Sequence, residues 1–156
     1  MLKENTNIKE VIIPDNIKIQ YNYSTKILAN EKIINLSNTI FNNEDFENLC
    51  EIKMNAIYLN FQDSDISDLN SLKSENINYL QSLNLSNNFI KNIDAFNKLK
   101  LENLNDLILT QNKISNISAF ENAKINNLER LYLNNNNINN IKVLENANFN
   151  NLINLI

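Results

Sequence analysis

The side chains that most often perform catalysis are scarce in this sequence. It contains no histidine and no glycine, and Cys50 is its single cysteine. Without histidine, acid–base and nucleophilic mechanisms lose their commonest proton acceptor, and without glycine no glycine-rich phosphate loop can form. Cys50 falls on the apolar edge of a predicted helix, which favours a packed thiol over a nucleophile. The sequence therefore predicts a protein that is not an enzyme and that needs no cofactor.

An acidic cluster is the other candidate for chemistry. Asp63, Asp65 and Asp68 stand close together, as the ligands of a calcium loop do. Such a loop also requires a glycine at its sharp turn and a distal glutamate, and this pattern is absent here. A solvated turn is the better interpretation, so we predict no metal site.

Charge and hydropathy narrow the choice of partners and of compartment. The chain of 156 residues has a net charge of −4 and a pI near 4.9, and its scattered lysines offer no basic stripe for nucleic acid. Its apolar runs are far shorter than the ~20 residues that cross a bilayer. A single cysteine allows no intramolecular disulfide, and the first residues lack the apolar core of a secretory signal. We expect a cytoplasmic chain with a protein partner, and with neither nucleic acid nor membrane as a partner.

Asparagine alone supplies roughly a quarter of the residues. A genome rich in A and T favours the codons of asparagine, isoleucine and lysine and disfavours those of glycine. We interpret the bias as codon usage, so most individual asparagines are expected to carry no structural role.

The strongest feature of the sequence is an internal repeat of 24 residues. Leucines at 80, 104, 128 and 152 share one register, which defines repeats 56–79, 80–103, 104–127 and 128–151 and the start of a fifth at residue 152. Positions 1, 4, 6, 11, 14, 17 and 22 are apolar in all four repeats; in the third repeat they are Leu104, Leu107, Leu109, Ile114, Ile117, Phe120 and Ile125. At 43% hydrophobic content, chance would produce this pattern with a probability on the order of 10⁻¹⁰.

Three of the repeats open with the same motif, Leu-x-x-Leu-x-Leu-x-x-Asn. It reads LQSLNLSNN from Leu80, LNDLILTQN from Leu104 and LERLYLNNN from Leu128, and the looser first repeat has Ser64 in place of the asparagine. The sequence thereby resembles the leucine-rich-repeat family. The Ile-x-x-Ile-x-x-Phe spacing that follows resembles the subclass of the internalins and of the leucine-rich regulatory subunit of protein phosphatase 1.

The resemblance implies an α/β solenoid with a parallel concave sheet and an asparagine ladder. The inward alternation of leucines agrees with short strands, one in each repeat, that pair in parallel. Short helices are expected on the convex side around residues 95–101, 119–125 and 143–149, where the repeat is longer than in that subclass.

Residues 1–55 are predicted to cap the N-terminal end of the solenoid, because an open end would leave core side chains in water. Residues 56–156 are predicted to form the repeats. Apolar residues on both sides of a turn at residues 14–16 predict a β-hairpin between Val11 and Tyr23.

A degenerate repeat is predicted to follow the hairpin and to complete the cap. Ile34 and Leu36 occupy its strand positions. A helix capped by Asn43 would come next. The apolar face of that helix would be formed by Phe46, Leu49, Cys50 and Ile52.

The surface expected to bind a partner is formed by repeat positions 3, 5 and 7, which point away from the core on the concave sheet. These residues are Tyr58, Asn60, Gln62, Ser82, Asn84, Ser86, Asp106, Ile108, Thr110, Arg130, Tyr132 and Asn134. Ile108 and Tyr132 are neighbours beside Asp106 and Arg130, and such mixtures are typical of binding hot spots. Sheet faces also carry β-forming residues for propensity alone. We predict a protein-interaction module that uses this face.

A structural scaffold element that joins like chains is the alternative function. The fifth repeat ends at residues 152–156 with no polar closing segment, so the stack would end on apolar surface. We expect either that the chain is a fragment of a longer array or that a second copy covers this end. Fold alone does not choose between recognition and self-association.

Overall fold

Short strands recur at the repeat spacing in the computed structural model, which describes residues 29–156. The strands are β1 Ile33–Asn35, β2 Tyr58–Asn60, β3 Ser82–Asn84, β4 Asp106–Ile108, β5 Arg130–Tyr132 and β6 Asn154–Leu155. Within the described residues they form one parallel sheet in sequence order. Leu83 pairs with Leu107, and Leu107 pairs with Leu131, so equivalent repeat positions lie side by side. The predicted α/β solenoid with a parallel sheet is confirmed.

The core is a stack of apolar side chains at the predicted repeat positions. All seven positions are buried in each of the first three repeats. The rings of Phe96 and Phe120 stack across repeats with centroids 5.9 Å apart, and Phe120 meets Phe149 at 5.6 Å. Each buried side chain contributes about 2 kcal/mol, but only when a neighbouring repeat covers it, so the repeats are stable only as a stack.

The predicted asparagine ladder is present at position 9, where the chain leaves each strand. Asn112 is buried, and its Oδ1 accepts a hydrogen bond from the backbone N–H of Ile90 at 3.0 Å. Its Nδ2 donates to the carbonyl oxygens of Leu85 and Leu109 at 2.9 and 3.1 Å. The neighbouring ladder residues bond in the same way: Asn88 and Asn136. Each amide satisfies backbone groups that have no partner in the sheet.

Each repeat turns sharply at position 8 without the help of glycine. Asp63, Asn87, Gln111 and Asn135 have φ between 55° and 57°. This left-handed region costs most residues roughly 1–2 kcal/mol, whereas asparagine and aspartate enter it more readily because their short polar side chains bond locally. Two of these four turns therefore use asparagine for its conformation.

Asparagine also has defined roles at positions 13 and 24. The Oδ1 atoms of Asn92 and Asn116 accept hydrogen bonds from the backbone N–H two residues later, at 2.6 and 2.9 Å. At position 24, side-chain amides donate to a backbone carbonyl of the preceding repeat; these residues are Asn103, Asn127 and Asn151. The expectation that most individual asparagines carry no structural role is wrong for the repeats, because the second and fourth repeats use asparagine at all four of these positions and the third repeat uses it at three.

The convex side holds single 3-10 turns where longer helices were expected. The turns are Ser74–Asn76, Asp94–Asn97, Ser118–Glu121 and Lys142–Glu145. The expected helices around 95–101, 119–125 and 143–149 are therefore too long. After the turn, the chain extends instead, and Lys100 forms a parallel bridge with Lys124 that takes up the additional residues of the repeat.

The degenerate repeat contains the longest described helix, α1 Asn43–Cys50. Its N-cap is Asn42, whose Oδ1 accepts from the backbone N–H of Asp45 at 2.8 Å, so the expected cap at Asn43 is wrong by one residue. The expected apolar face is buried, including Ile52 just after the helix. The predicted β-hairpin at residues 11–23 lies outside the described residues, and the boundary at residue 55 stays a prediction. No helix within residues 29–156 is long and apolar enough to cross a membrane.

Candidate protein-binding surface

The sheet face that was predicted to be concave, called the concave face below, changes character along the sheet at position 5. In β1, β2 and β3 this position is asparagine, in β4 and β5 it is Ile108 and Tyr132, and at the same position of the fifth repeat Ile156 follows directly after β6. Strand pairing places these side chains in one row, because Ile108 pairs with Tyr132 and equivalent positions are in register. We call Ile108, Tyr132 and Ile156 the apolar strip.

The two predicted contact residues at the other end of that row are committed to the sheet. Asn60 is buried, its Nδ2 donates to Asn35 Oδ1 at 2.9 Å, and its Oδ1 accepts from the backbone N–H of Gln62 at 3.0 Å. Asn84 is also buried, and its Oδ1 accepts from the N–H and Oγ of Ser86 at 3.0 and 2.7 Å. Their polar groups serve the internal structure and leave little surface for a partner.

The apolar strip is more accessible. Ile108 and Tyr132 are half-buried, and 54% of Ile156 is exposed. Ile156 was not among the predicted site residues, although its register position in the fifth repeat is the signal that identifies it. Ile108 and Tyr132 lie side by side on the open face, and Ile156 continues the strip at the C-terminal end, where it also lines an apolar pocket.

An ion pair flanks the apolar strip at position 3. Arg130 donates from Nη2 to Asp106 Oδ2 at 2.8 Å and from Nε to Asp106 Oδ1, which makes the pair bidentate. Its Nη1 donates to Glu129 Oε2 at 3.3 Å. The hydrogen bond and the charge of Asp106 raise the pKa of Arg130 above its ordinary value. The predicted neighbours Asp106 and Arg130 are thus brought together, and Glu129 joins them from position 2.

A groove runs across the concave face along positions 2 and 3. It has a volume of about 540 Å³ and is lined by Ile33, Ile57, Tyr58, Gln81, Ser82, Asn105, Asp106 and Arg130. Four of these residues were predicted from the sequence as contact residues. The sequence did not predict Ile33 or the residues at position 2. The alternation of inward and outward side chains alone gives no reason to expect that the residue before each strand lines the groove.

The remaining predicted residues lie at the opposite flank, at position 7. Gln62 and Asn134 are exposed, Ser86 and Thr110 are half-buried, and Thr110 Oγ1 donates to Asn134 Oδ1 at 2.9 Å. They extend the concave face beyond the apolar strip and lie away from the groove.

Cys50 and the acidic cluster were the two candidates for chemistry in the sequence, and both have surroundings typical of structural residues. Cys50 is buried in the core cluster, and burial raises the pKa of its thiol to about 12, so the nucleophilic thiolate is not formed near neutral pH. Asp63 bonds to the side chains of Gln62 and Asn87, and Asp68 accepts from the N–H of Asn70. Within residues 29–156, no three potential ligands come together to hold a metal ion.

Part of the chain matches a known repeat family, and known structures are similar to it. A family model described as leucine rich repeat matches residues 78–138. An internalin structure from Listeria monocytogenes is 23% identical, with a TM-score of 0.46, 74% of this chain covered and 38% of that chain covered. A second internalin from the same organism is 26% identical, with a TM-score of 0.44 and coverage of 72% and 54%. A leucine-rich-repeat protein from Leptospira interrogans is 20% identical, with a TM-score of 0.44 and coverage of 80% and 38%.

The chain spans between 38% and 54% of the length of these three structures. No curated protein matches the sequence.

Proposed function

We propose that this chain, in which residues 78–138 match a leucine rich repeat family model, is a protein-interaction module that binds a protein partner on its concave face. The binding centre is the apolar strip, Ile108, Tyr132 and Ile156, with the ion pair of Asp106 and Arg130 beside it. Absence of catalysis and a cytoplasmic location stay predictions of the sequence.

The observation that carries the proposal is the contrast within position 5. The asparagines at this position in β2 and β3 are buried and bonded within the sheet, while Ile108 and Tyr132 remain half-exposed. Apolar and aromatic side chains on an open face beside an arginine have the composition of binding hot spots, where few residues supply most of the affinity. A partner that covers them would remove apolar surface from water without disturbing the core.

A displayed random-peptide library selected on the purified full chain tests this function. We expect enriched peptides whose affinity falls ten-fold or more for the double variant Ile108→Ala/Tyr132→Ala. The matched control is Lys98→Ala/Asn122→Ala, because both residues are exposed on the convex side. If the peptides lose affinity for the convex variant but not for the concave variant, the partner binds on the convex side and the proposed face is wrong.

Association of like chains through the C-terminal end is the second candidate, and a different observation favours it. An open apolar pocket of about 360 Å³ lies at this end, lined by Leu133, Asn134, Ile138, Ile141, Leu144, Leu155 and Ile156. Ile141 is 62% exposed although the equivalent residues of earlier repeats are buried. Contiguous apolar surface of this kind commonly marks an interaction site.

Sedimentation equilibrium of the full chain tests the second candidate. We expect mass to rise with concentration for the wild type, and we expect Ile141→Lys to shift the protein toward monomer. The control is Asn139→Lys, a nearby exposed position outside the pocket. A wild-type chain that stays monomeric at high concentration would refute self-association through this end.

A further inference from the structure

The groove has the length of a short extended peptide. Its lining residues lie in or beside five neighbouring strands, from Ile33 in β1 to Arg130 in β5. Four spacings of ~4.8 Å between strands give ~19 Å, which an extended chain at ~3.3 Å per residue crosses with about six residues. The groove is therefore long enough to give a bound segment two distinct ends.

One end of the groove is apolar. Ile33 is 65% exposed, and it lies next to Ile57 and Tyr58, which are half-buried. Strand pairing joins Ile33 directly to Tyr58, so their side chains form one surface. An apolar side chain of a partner would find its counterpart here.

The other end carries a net negative charge. Asp106 and Glu129 both bond to the single guanidinium of Arg130, and Asn105 Nδ2 donates to Glu129 Oε1 at 3.3 Å. Two carboxylates against one cation leave a charge of −1. An acidic group of a partner would meet these carboxylates and would have to displace one of them from Arg130, whereas a basic group would neutralise the excess.

The charge at the apolar end has the opposite sign. Lys32 occupies position 2 of the degenerate repeat, and Glu129 occupies the same position of the repeat 128–151. Its Nζ donates to the carbonyl oxygen of Asn55 at 3.2 Å and lies 5.7 Å from the ring centroid of Tyr79. A partner that is basic along its whole length would be repelled there, so the groove favours a single basic residue at one end.

We infer that the groove takes an extended segment of about six residues, with an apolar side chain over Ile33 and Tyr58 and a lysine or arginine beside Asp106 and Glu129. The inference rests on the proposed function and names the chemistry of its partner. For a given segment it also fixes which end lies over Ile33, because only one placement puts both side chains in their positions.

The peptides enriched on the full chain provide the test. We expect them to carry a lysine or arginine about five residues from an apolar residue. In synthetic versions, replacing the basic residue with glutamine should weaken binding ten-fold or more, and higher salt should weaken the parent peptide more than the glutamine version. This arm needs no variant of the protein.

A matched pair of protein variants locates the basic residue. Glu129→Gln should weaken the basic peptide five-fold or more and leave the glutamine peptide unchanged. Glu121→Gln is the control, because it makes the same chemical change at an exposed convex residue. A circular dichroism melt confirms that both variants are folded.

Three outcomes overturn the inference. Enriched peptides that are acidic, or whose affinity does not change when their basic residue is replaced, contradict the assigned chemistry. The proposed function of the concave face would still stand if Ile108→Ala/Tyr132→Ala weakens the binding of these peptides. Peptides that lose equal affinity to Glu129→Gln and Glu121→Gln show only a general charge effect. Failure to enrich any peptide that depends on the concave face overturns both the proposed function and this inference.

Discussion

The third and fourth repeats have the same sequence pattern but different structural surroundings. Residues 104–127 and 128–151 place apolar side chains at the same seven positions and form strands in the same register. Yet Ile117 is 1% exposed, whereas the equivalent Ile141 is 62% exposed. The asparagine at position 9 is also less buried in the fourth repeat: Asn112 is buried, whereas Asn136 is half-buried.

The difference shows that burial in a solenoid is decided by the following repeat rather than by the residue itself. The third repeat is covered by the fourth, but the described chain places only residues 152–156 after the fourth. A repeat pattern therefore predicts which side chains can be buried, and the stack determines which of them are. Stability should be unevenly distributed between the two repeats, and paired substitutions can measure how unevenly.

The largest difference is expected at the ladder. Asn112→Leu would leave the N–H of Ile90 and the carbonyls of Leu85 and Leu109 without their partner. Each unsatisfied buried group costs about 1–3 kcal/mol, so we expect a loss of about 3 kcal/mol or more. Asn136→Leu should cost about 1–2 kcal/mol, because water can reach the half-buried groups. Urea denaturation of the two variants measures both values, and equal losses would mean that the fourth repeat is covered in solution.

The next difference is expected in the core. Ile117→Ala removes a buried side chain and leaves a cavity, which should cost about 2–4 kcal/mol. Ile141→Ala removes a largely exposed side chain and should change stability by about 0.5 kcal/mol or less. A substantial loss for Ile141→Ala that grows with protein concentration would instead support contact between copies at this end.

The fold was predictable because its signal is redundant. Seven apolar positions recur in four repeats, so a single substitution such as Ser64 at position 9 does not obscure the register. Helix length was less predictable, because the apolar residue at position 22 fits either a helix or an extended bridge. The pairing of Lys100 with Lys124 decided between them, and it depends on the next repeat rather than on local propensity.

The candidate site was predictable in outline only. Position 5 identifies Ile108 and Tyr132, but the same position also identifies Asn60 and Asn84, which are buried by bonds to neighbouring polar groups. A pattern gives the direction of a side chain and not the partner that it meets. Composition was misleading for the same reason, since asparagines attributed to codon usage satisfy backbone groups throughout the stack.

A smaller effect is expected at the left-handed turn. The sequence register predicts that Asn135 tolerates substitution, and its φ of 57° narrows that prediction to residues that accept this conformation. Asn135→Gly should change stability by about 0.5 kcal/mol or less, while Asn135→Val should cost about 1–2 kcal/mol. Thermal melts of the two variants check this, and equal stability would show that the turn relaxes at the open end.

The smallest effect on stability is expected when the outward-facing residues Ile108 and Tyr132 are truncated, and here the third and fourth repeats should behave alike. Their buried neighbours provide the comparison. Leu107→Ala or Leu131→Ala removes a fully buried strand residue and should cost about 2–5 kcal/mol. Ile108 and Tyr132 are half-buried beside them and point to the open side of the sheet, so truncating both leaves no closed cavity. We expect Ile108→Ala/Tyr132→Ala to lower stability by about 1 kcal/mol or less in urea denaturation. A loss comparable to that of Leu107→Ala would mean that these side chains serve the fold, and reduced peptide binding by the variant would then report unfolding rather than a lost contact.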